Sequence, residues 1–265
     1  MNYAIVFSRA LSLEDVRQSA PAVFAPSADE HLSSRYTFIH TNKVLAGLMD
    51  VGFVPVEARQ ARTYRASALH AAHTIRLRRR YEHVSLKDSC PEVRLWNSHS
   101  GGAAYRARLS LWQAVCTNGL IVSRGAFPEV YVPHRGDVVD EVVAGALQLA
   151  ERFDILAAQV ERMESRHLSR DEQLHFAERA LAIRFSDPAH CGILPSQVLT
   201  VRRPEDLGDD LFTVLNRTQE NLMRGGLTRR SESGRLTRTR RVTSLREDVR
   251  INSQLWDLSR EALAA

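Results

Sequence analysis

Lysine is almost missing from this 265-residue sequence: Lys43 and Lys87 stand against 34 arginines. A nuclease site built on a carboxylate–lysine cluster has little to draw on, and part of the arginine excess reflects genome composition. Cysteine is nearly as scarce. Cys90, Cys116 and Cys191 lie far apart, their number is odd and no pair has metal-ligand spacing. That excludes a disulfide framework and fits reduced thiols in a cytoplasm. No run approaches the roughly 18 apolar residues of a membrane span. The opening residues, Met1 to Arg9, lack the basic and apolar regions of a signal peptide. A cytoplasmic location and no membrane partner are therefore expected. Neither G-x-x-x-x-G-K-[ST] nor G-x-G-x-x-G occurs, so nucleotide hydrolysis and dinucleotide chemistry lose their usual signals and no cofactor is expected. What remains is ordinary globular composition, 44% hydrophobic and 25% charged, in a chain long enough for a substantial core.

The charge is unevenly distributed. Net charge is +5, yet the window Arg224 to Arg250 holds nine arginines against Glu232, Glu247 and Asp248, so the rest of the chain is close to neutral. A second cluster, Arg59 to Arg80, holds seven arginines and no acid. Clustered arginine is the electrostatic footprint of a polyanion binder.

Period-two alternation marks strands at 52–60, 73–81, 92–98 and 103–111, with a short strand at 120–122 after the Asn118-Gly119 turn. Val54, Val56 and Ala58 share one face of the first, and Pro55 indicates an edge strand or a bulge. Before them, Ser12 opens a short helix with Glu14 and Asp15 in its first turn, and Thr41 or Asn42 caps another through Leu45, Leu48 and Met49 that stops near Gly52. The second half is helical. Asp137 is an N-cap with Asp140 and Glu141 behind it. Val142, Ala146, Leu149, Phe153, Leu156, Val160 and Met163 then form a heptad seam, read as core packing or as a subunit interface. Ser169 with Glu172 and Ser244 with Glu247 have capping-box spacing. Leu211, Leu215, Thr218 and Leu222 mark a helix closed by Gly225-Gly226. Strands followed by helices give an α+β fold. Its parts are an irregular lead (1–35), a strand-rich part (36–136), a helical part of the same domain (137–225), a basic loop (226–243) and a C-terminal helix (244–265).

Two constellations point to single-stranded DNA. If the strand registers hold, Arg76, Arg78, Arg80, Arg94, Trp96, Arg106 and Arg108 share one sheet face, with cations for phosphates beside an aromatic for stacking. The plain alternative is a solvated face whose arginine stems cover apolar surface. Arg229, Arg230, Arg235, Arg238, Arg240 and Arg241 interleave with Ser, Thr and Gly, a pattern of phosphate-pairing cations and small hydroxyl donors on mobile backbone. The alternative there is a solvated linker or a partner-binding loop. Catalytic signals are weak. His134 with Asp137, Asp140 and Glu141 has the residue types of a metal site, but the carboxylates are better explained as helix-start charges.

Several runs carry a family resemblance: Tyr36-Thr-Phe-Ile, Leu95-Trp-Asn-Ser-His-Ser-Gly-Gly-Ala-Ala-Tyr, Val115-Cys-Thr-Asn-Gly-Leu-Ile-Val and Val132-Pro-His-Arg-Gly-Asp-Val-Val-Asp-Glu-Val. So do Asn216-Arg-Thr-Gln-Glu-Asn-Leu-Met-Arg-Gly-Gly-Leu, Thr237-Arg-Thr-Arg and Asn252-Ser-Gln-Leu-Trp. Over about residues 30 to 260 the chain resembles the phage- and plasmid-like family of unknown function numbered nine-three-two. The resemblance implies a mobile-element context in a bacterium and brings no catalytic residues. In architecture alone, a basic strand-rich half followed by a long helix looks like the Rad fifty-two type of single-strand annealing protein, whose rings hold single-stranded DNA in a basic groove. The expected function is thus non-enzymatic single-strand binding and annealing by a homo-oligomer serving a plasmid or prophage. The alternatives are an accessory factor that binds a host defence or replication protein, and a metal-dependent nuclease.

Overall fold

The alternating segments form an antiparallel sheet and the periodic apolar segments form helices after it, in the α+β order expected. A computed structural model describes residues 9–33, 36–62, 67–79, 89–101, 104–113, 119–121, 129–132, 139–185, 191–230 and 235–264. Its elements begin with α1 (Leu13–Ser19), α2 (Thr41–Asp50), β1 (Phe53–Gln60), β2 (His73–Arg79), β3 (Ser89–Asn97), β4 (Tyr105–Gln113), β5 (Gly119–Ile121) and β6 (Val130–Val132). They continue with α3 (Val139–Ala150), α4 (Phe153–Ser165), α5 (Arg170–Arg184), α6 (Pro195–Val198), α7 (Leu211–Arg224), β7 (Thr228–Arg230), β8 (Leu236–Arg238) and α8 (Leu245–Ala264). The chain divides into two units, Met1–Ala114 with Phe127–Asp154, and Val115–Ala126 with Ile155–Ala265. Among the described residues no helix is long and apolar enough to cross a membrane.

In the first unit β1, β2, β3, β4 and β6 pair in that order, each pair antiparallel. Pro55 has both expected consequences. It lies in the outer strand, where its missing N–H costs no ladder bond, and the register shifts between Pro55 and Glu57. That shift parts Val54 from Ala58: Val54 stands opposite Arg78 and Ala58 opposite Ile75, so Val54, Val56 and Ala58 do not share the one face expected of them. One face carries Ile75, Leu77, Val93, Leu95, Ala107 and Leu109, all buried. Helix α3 packs on β3, β4 and β6, and α2 packs on β1 and on α3. The approach of α3 is close. A Cβ on Gly145 would fall 2.6 Å from a methyl of Val130, which pairs with Ala107 and so shares its face. Each buried aliphatic side chain of this layer is worth about 1.5–3 kcal/mol relative to exposure. Ser12 caps α1 in a reciprocal box with Asp15. Helix α2 begins at Thr41, but Thr41 does not cap it; its hydroxyl is engaged in the interior.

The heptad seam is core, with all seven side chains at 3% exposure or less. It is not one helix: α3 ends at Ala150 and α4 starts at Phe153. Val142 to Phe153 belong to the first unit and Leu156 to Met163 to the second.

In the second unit Ser169 caps α5 as its spacing requires, and the bond from the Ser169 N–H with the Arg166 guanidinium holds Glu172 down at a pKa of about 2. Helices α5, α7 and α8 pack on one another, α6 lies on α5 and α7, and β5 lies on α8. Helix α7 is buried almost all round, its polar residues included. The stretch read as a basic loop is instead a hairpin, with Thr228 opposite Arg238, Arg229 opposite Thr237 and Arg230 opposite Leu236. It escapes a pattern reading because each strand has only three residues and neither has an apolar period.

Candidate nucleic-acid interface

The sheet registers are those the sequence arithmetic required. Arg76 pairs with Arg94 and Arg94 with Arg108, while Trp96 pairs with Arg106. The face itself is different from the open surface expected. Arg76, Arg78, Arg94 and Arg108 are 3%, 7%, 2% and 8% exposed, and they meet carboxylates. Glu92, wholly buried on β3, accepts from Arg76 Nε at 2.6 Å and Nη2 at 3.1 Å, and from Arg78 Nη2 at 2.7 Å. Glu57 lies 3.3 Å from Arg76 and 3.9 Å from Arg94. Burial pushes the Glu57 carboxyl up, but Arg76, Arg94 and Arg59 outweigh it and hold the group below its ordinary range. Glu129 accepts from Arg108 Nε at 2.6 Å. Burying a charge is tolerated only with such pairing. These four arginines therefore form an internal ion-pair layer, a correction to the phosphate clamp expected of them. Trp96 and Arg106 remain half-buried on the same face. Arg80 lies outside the described residues.

The other constellation is open. Arg229, Arg230, Arg235, Arg238, Arg240 and Arg241 are all exposed in the second unit. The hairpin that carries them is held at both ends. Gly226 donates to Thr239 O at 2.8 Å, Thr239 to Leu227 O at 2.9 Å, and Gln197 Nε2 to Thr228 O at 2.8 Å. Gly225 makes the junction with α7 possible: its φ is +70°, and a Cβ there would stand 2.6 Å from the Arg240 carbonyl oxygen. The backbone is thus more anchored than the mobile segment expected.

Beside the hairpin lies a groove of about 460 Å³ lined by Arg184, Arg229, Arg238, Arg240 and Arg241, with Phe185 and Ile251 as apolar wall. Thr239, Thr243 and Ser244 add hydroxyls, and Ser244 is where α8 begins, accepting from the Glu247 N–H at 3.4 Å. Glu247 is the acid of the lining, and Arg250 engages it at 2.7 Å and holds its carboxyl below the ordinary range. Arg184, the last residue of α5, was not singled out from sequence. It donates Nη2 to the Arg240 carbonyl, lies 5.3 Å from the Phe185 ring centre, and has Nη1 buried without a partner. Burial lowers its pKa. A single arginine ending a helix gives no sequence signal; only the fold brings it to the hairpin.

Most family-like runs that the structure describes form buried polar networks. Tyr36 donates to Ser98 O at 3.1 Å, and the Phe38 ring stands 4.7 Å from that of His99. Asn97 Nδ2 donates to Thr41 Oγ1 at 2.9 Å, and Thr41 Oγ1 is 3.0 Å from His73 Nε2. His73 Nδ1 donates to Ala71 O at 2.9 Å, so Nε2 is the acceptor of a neutral ring, and burial lowers the pKa to about 4. In α7, Gln219 Nε2 donates to Asn252 Oδ1 at 2.9 Å, and Asn221 Nδ2 donates to the carbonyls of Val198 and Thr200. Glu220 is paired with Arg203 and Arg224. These runs specify packing within each unit; the Thr237-Arg-Thr-Arg run is the exposed exception.

Cys90 and Cys191 are buried free thiols, and burial pushes Cys90 up to about 11, far from a nucleophile's range. Cys116, His134 and Asp137 lie outside the described residues. Asp140 and Glu141 sit in the first turn of α3, and among the described residues no three His, Cys, Asp or Glu side chains gather as metal ligands.

Residues 29–256 match the model of a domain of unknown function, DUF932. The chain is 38% identical over 256 residues to the UPF0380 protein YafZ of Escherichia coli strain K12, covering 96% of this chain and 92% of that protein. It is 37% identical over the same length to the UPF0380 protein YfjQ of the same strain. No solved structure matches, so the architectural likeness to Rad fifty-two type proteins expected from the sequence is not shown. The extent of the match and the identity over nearly the whole chain place this protein in the DUF932 family.

Proposed function

We propose that the protein binds single-stranded DNA without catalysing a reaction on it, and that the groove beside the β7–β8 hairpin is its principal grip. The carrying observation is the groove lining: Arg184, Arg229, Arg238, Arg240 and Arg241 face one volume where, among the described residues, the one acid is Glu247, already paired with Arg250. Guanidiniums with hydroxyl donors suit phosphate oxygens, and Phe185 offers an apolar surface beside them. Such a grip reads the backbone and leaves base edges free, which is what pairing with a second strand requires. Strand annealing by an oligomer in the bacterial cytoplasm, on behalf of a plasmid or prophage, is the activity attached to this reading.

The test is fluorescence anisotropy of the full chain against a single-stranded oligonucleotide and its duplex. Tighter binding of the single strand, weakening steeply with salt, is expected. Equal and weak binding of both would overturn the reading. One observation favours a second reading, an acidic segment of a host protein: Leu236 is 62% exposed among the hairpin arginines, an apolar anchor that a phosphate backbone does not use. On that reading Leu236→Ser abolishes a nuclease-insensitive protein complex and leaves DNA affinity unchanged.

A further inference from the structure

The row of the sheet next to the buried ion-pair layer has a different character. Trp96 on β3 pairs with Arg106 on β4, and Arg106 with Tyr131 on β6, so the three side chains stand in line across adjacent strands on one face. The Arg106 guanidinium lies 5.5 Å from the centre of the Tyr131 ring, and that of Arg94 lies 5.9 Å from Trp96. The neighbouring row meets glutamates. Among the described residues Arg106 meets none, and its Nε is buried with no hydrogen-bond partner. A guanidinium with an unmet donor favours a ligand that brings an acceptor to its open edge. Tyr131 is 51% exposed, a large ring held open beside that donor. One strand separates the two aromatic residues, so they stand about 10 Å apart.

A ligand that satisfies all three groups has a flat π face for the rings and an in-plane acceptor for the guanidinium. A nucleobase has both, and only an unpaired base has its face and edge free. Phosphate alone would leave the rings unused. We infer that Trp96, Arg106 and Tyr131 form a stacking platform for unpaired bases on the sheet of the first unit. This rests on the single-strand reading above and adds base contact to a grip otherwise made on phosphates.

The test compares oligothymidylate with an abasic phosphodeoxyribose chain of equal length and charge, titrated into the full chain and its Tyr131→Leu and Tyr131→Phe variants. Stacking is worth about 1–3 kcal/mol per base, or roughly 5- to 150-fold. Wild type should prefer oligothymidylate at least fivefold. Tyr131→Leu should lose that preference with its salt slope and its abasic affinity unchanged, and Tyr131→Phe should keep it. Equal binding of the two ligands by wild type, or full retention by Tyr131→Leu, would overturn the platform and leave the groove standing. Binding of neither ligand would remove the single-strand reading itself, and the platform with it.

Discussion

Replacing Glu92 by Gln tests whether the arginine layer is an internal structure. The Glu92 side chain is fully buried and holds two guanidiniums at 2.6 and 2.7 Å. Gln keeps the shape, but it removes the charge and turns an amide N–H₂ toward groups that only donate. Arg76 keeps Glu57 at 3.3 Å, a carboxylate one-third exposed and already flanked by Arg94. Breaking a buried pair from one side costs about 3–5 kcal/mol. With a urea slope of about 2 kcal/mol per molar, the unfolding midpoint should fall by about 1.5–2.5 M. Glu247→Gln, which breaks an exposed pair with Arg250, should shift it by less than about 0.5 M. Affinity for single-stranded DNA should not change in the folded Glu92→Gln protein. A shift no larger than that of Glu247→Gln, or a rise in DNA affinity as released arginines reached phosphate, would refute the internal-layer reasoning.

His73 binds a proton in the unfolded chain near the ordinary imidazole value of 6.5, but in the folded protein, where burial opposes the charge, only near 4. Its contribution is therefore fully present above pH 6.5 and is lost as pH falls toward 4, amounting to about 3 kcal/mol at the acid end; a pH series of urea midpoints and an NMR titration showing His73 neutral at pH 5 check this. Gly225→Ala places a Cβ on a backbone at φ +70° and against the Arg240 carbonyl. A cost of about 1–3 kcal/mol is expected, seen as a lower Tm and faster tryptic cleavage at the hairpin arginines.

Long, strongly alternating segments were legible in the sequence: β2, β3 and β4 stand in the registers that put Arg76, Arg94 and Arg108 in one row. The helix start at Ser12 and the capping box at Ser169 are legible too, because each rests on a local hydrogen bond. What alternation does not encode is which side of a sheet meets water. Both faces of β2 are buried, and the signal that the arginines were internal was Glu92, an acid in the strand between them, opposite Ser110. The heptad seam hid its own break, since the turn at Glu151-Arg152 preserves the spacing from Leu149 to Phe153. Thr41 looked like a cap because β-hydroxyl residues cap helices, yet the buried Asn97 and His73 claim its hydroxyl. Of the candidate site, the exposed hairpin arginines are legible in the sequence as a cluster. Arg184 and Tyr131 are not, because each is an isolated residue brought in by tertiary structure.

The central claim is that the groove arginines grip a phosphate backbone, and the salt dependence of single-strand affinity tests it most directly. Neutralising a phosphate on a single strand contributes about 0.7 to the slope of log K against log salt. The five arginines lining the groove then give a slope near −3.5, or about a 100-fold loss of affinity between 50 and 200 mM salt. Arg238→Ala, Arg240→Ala and Arg241→Ala combined should flatten the slope to about −1.4, a loss of only about sevenfold over the same range. A triple variant with wild-type affinity and slope would contradict the account.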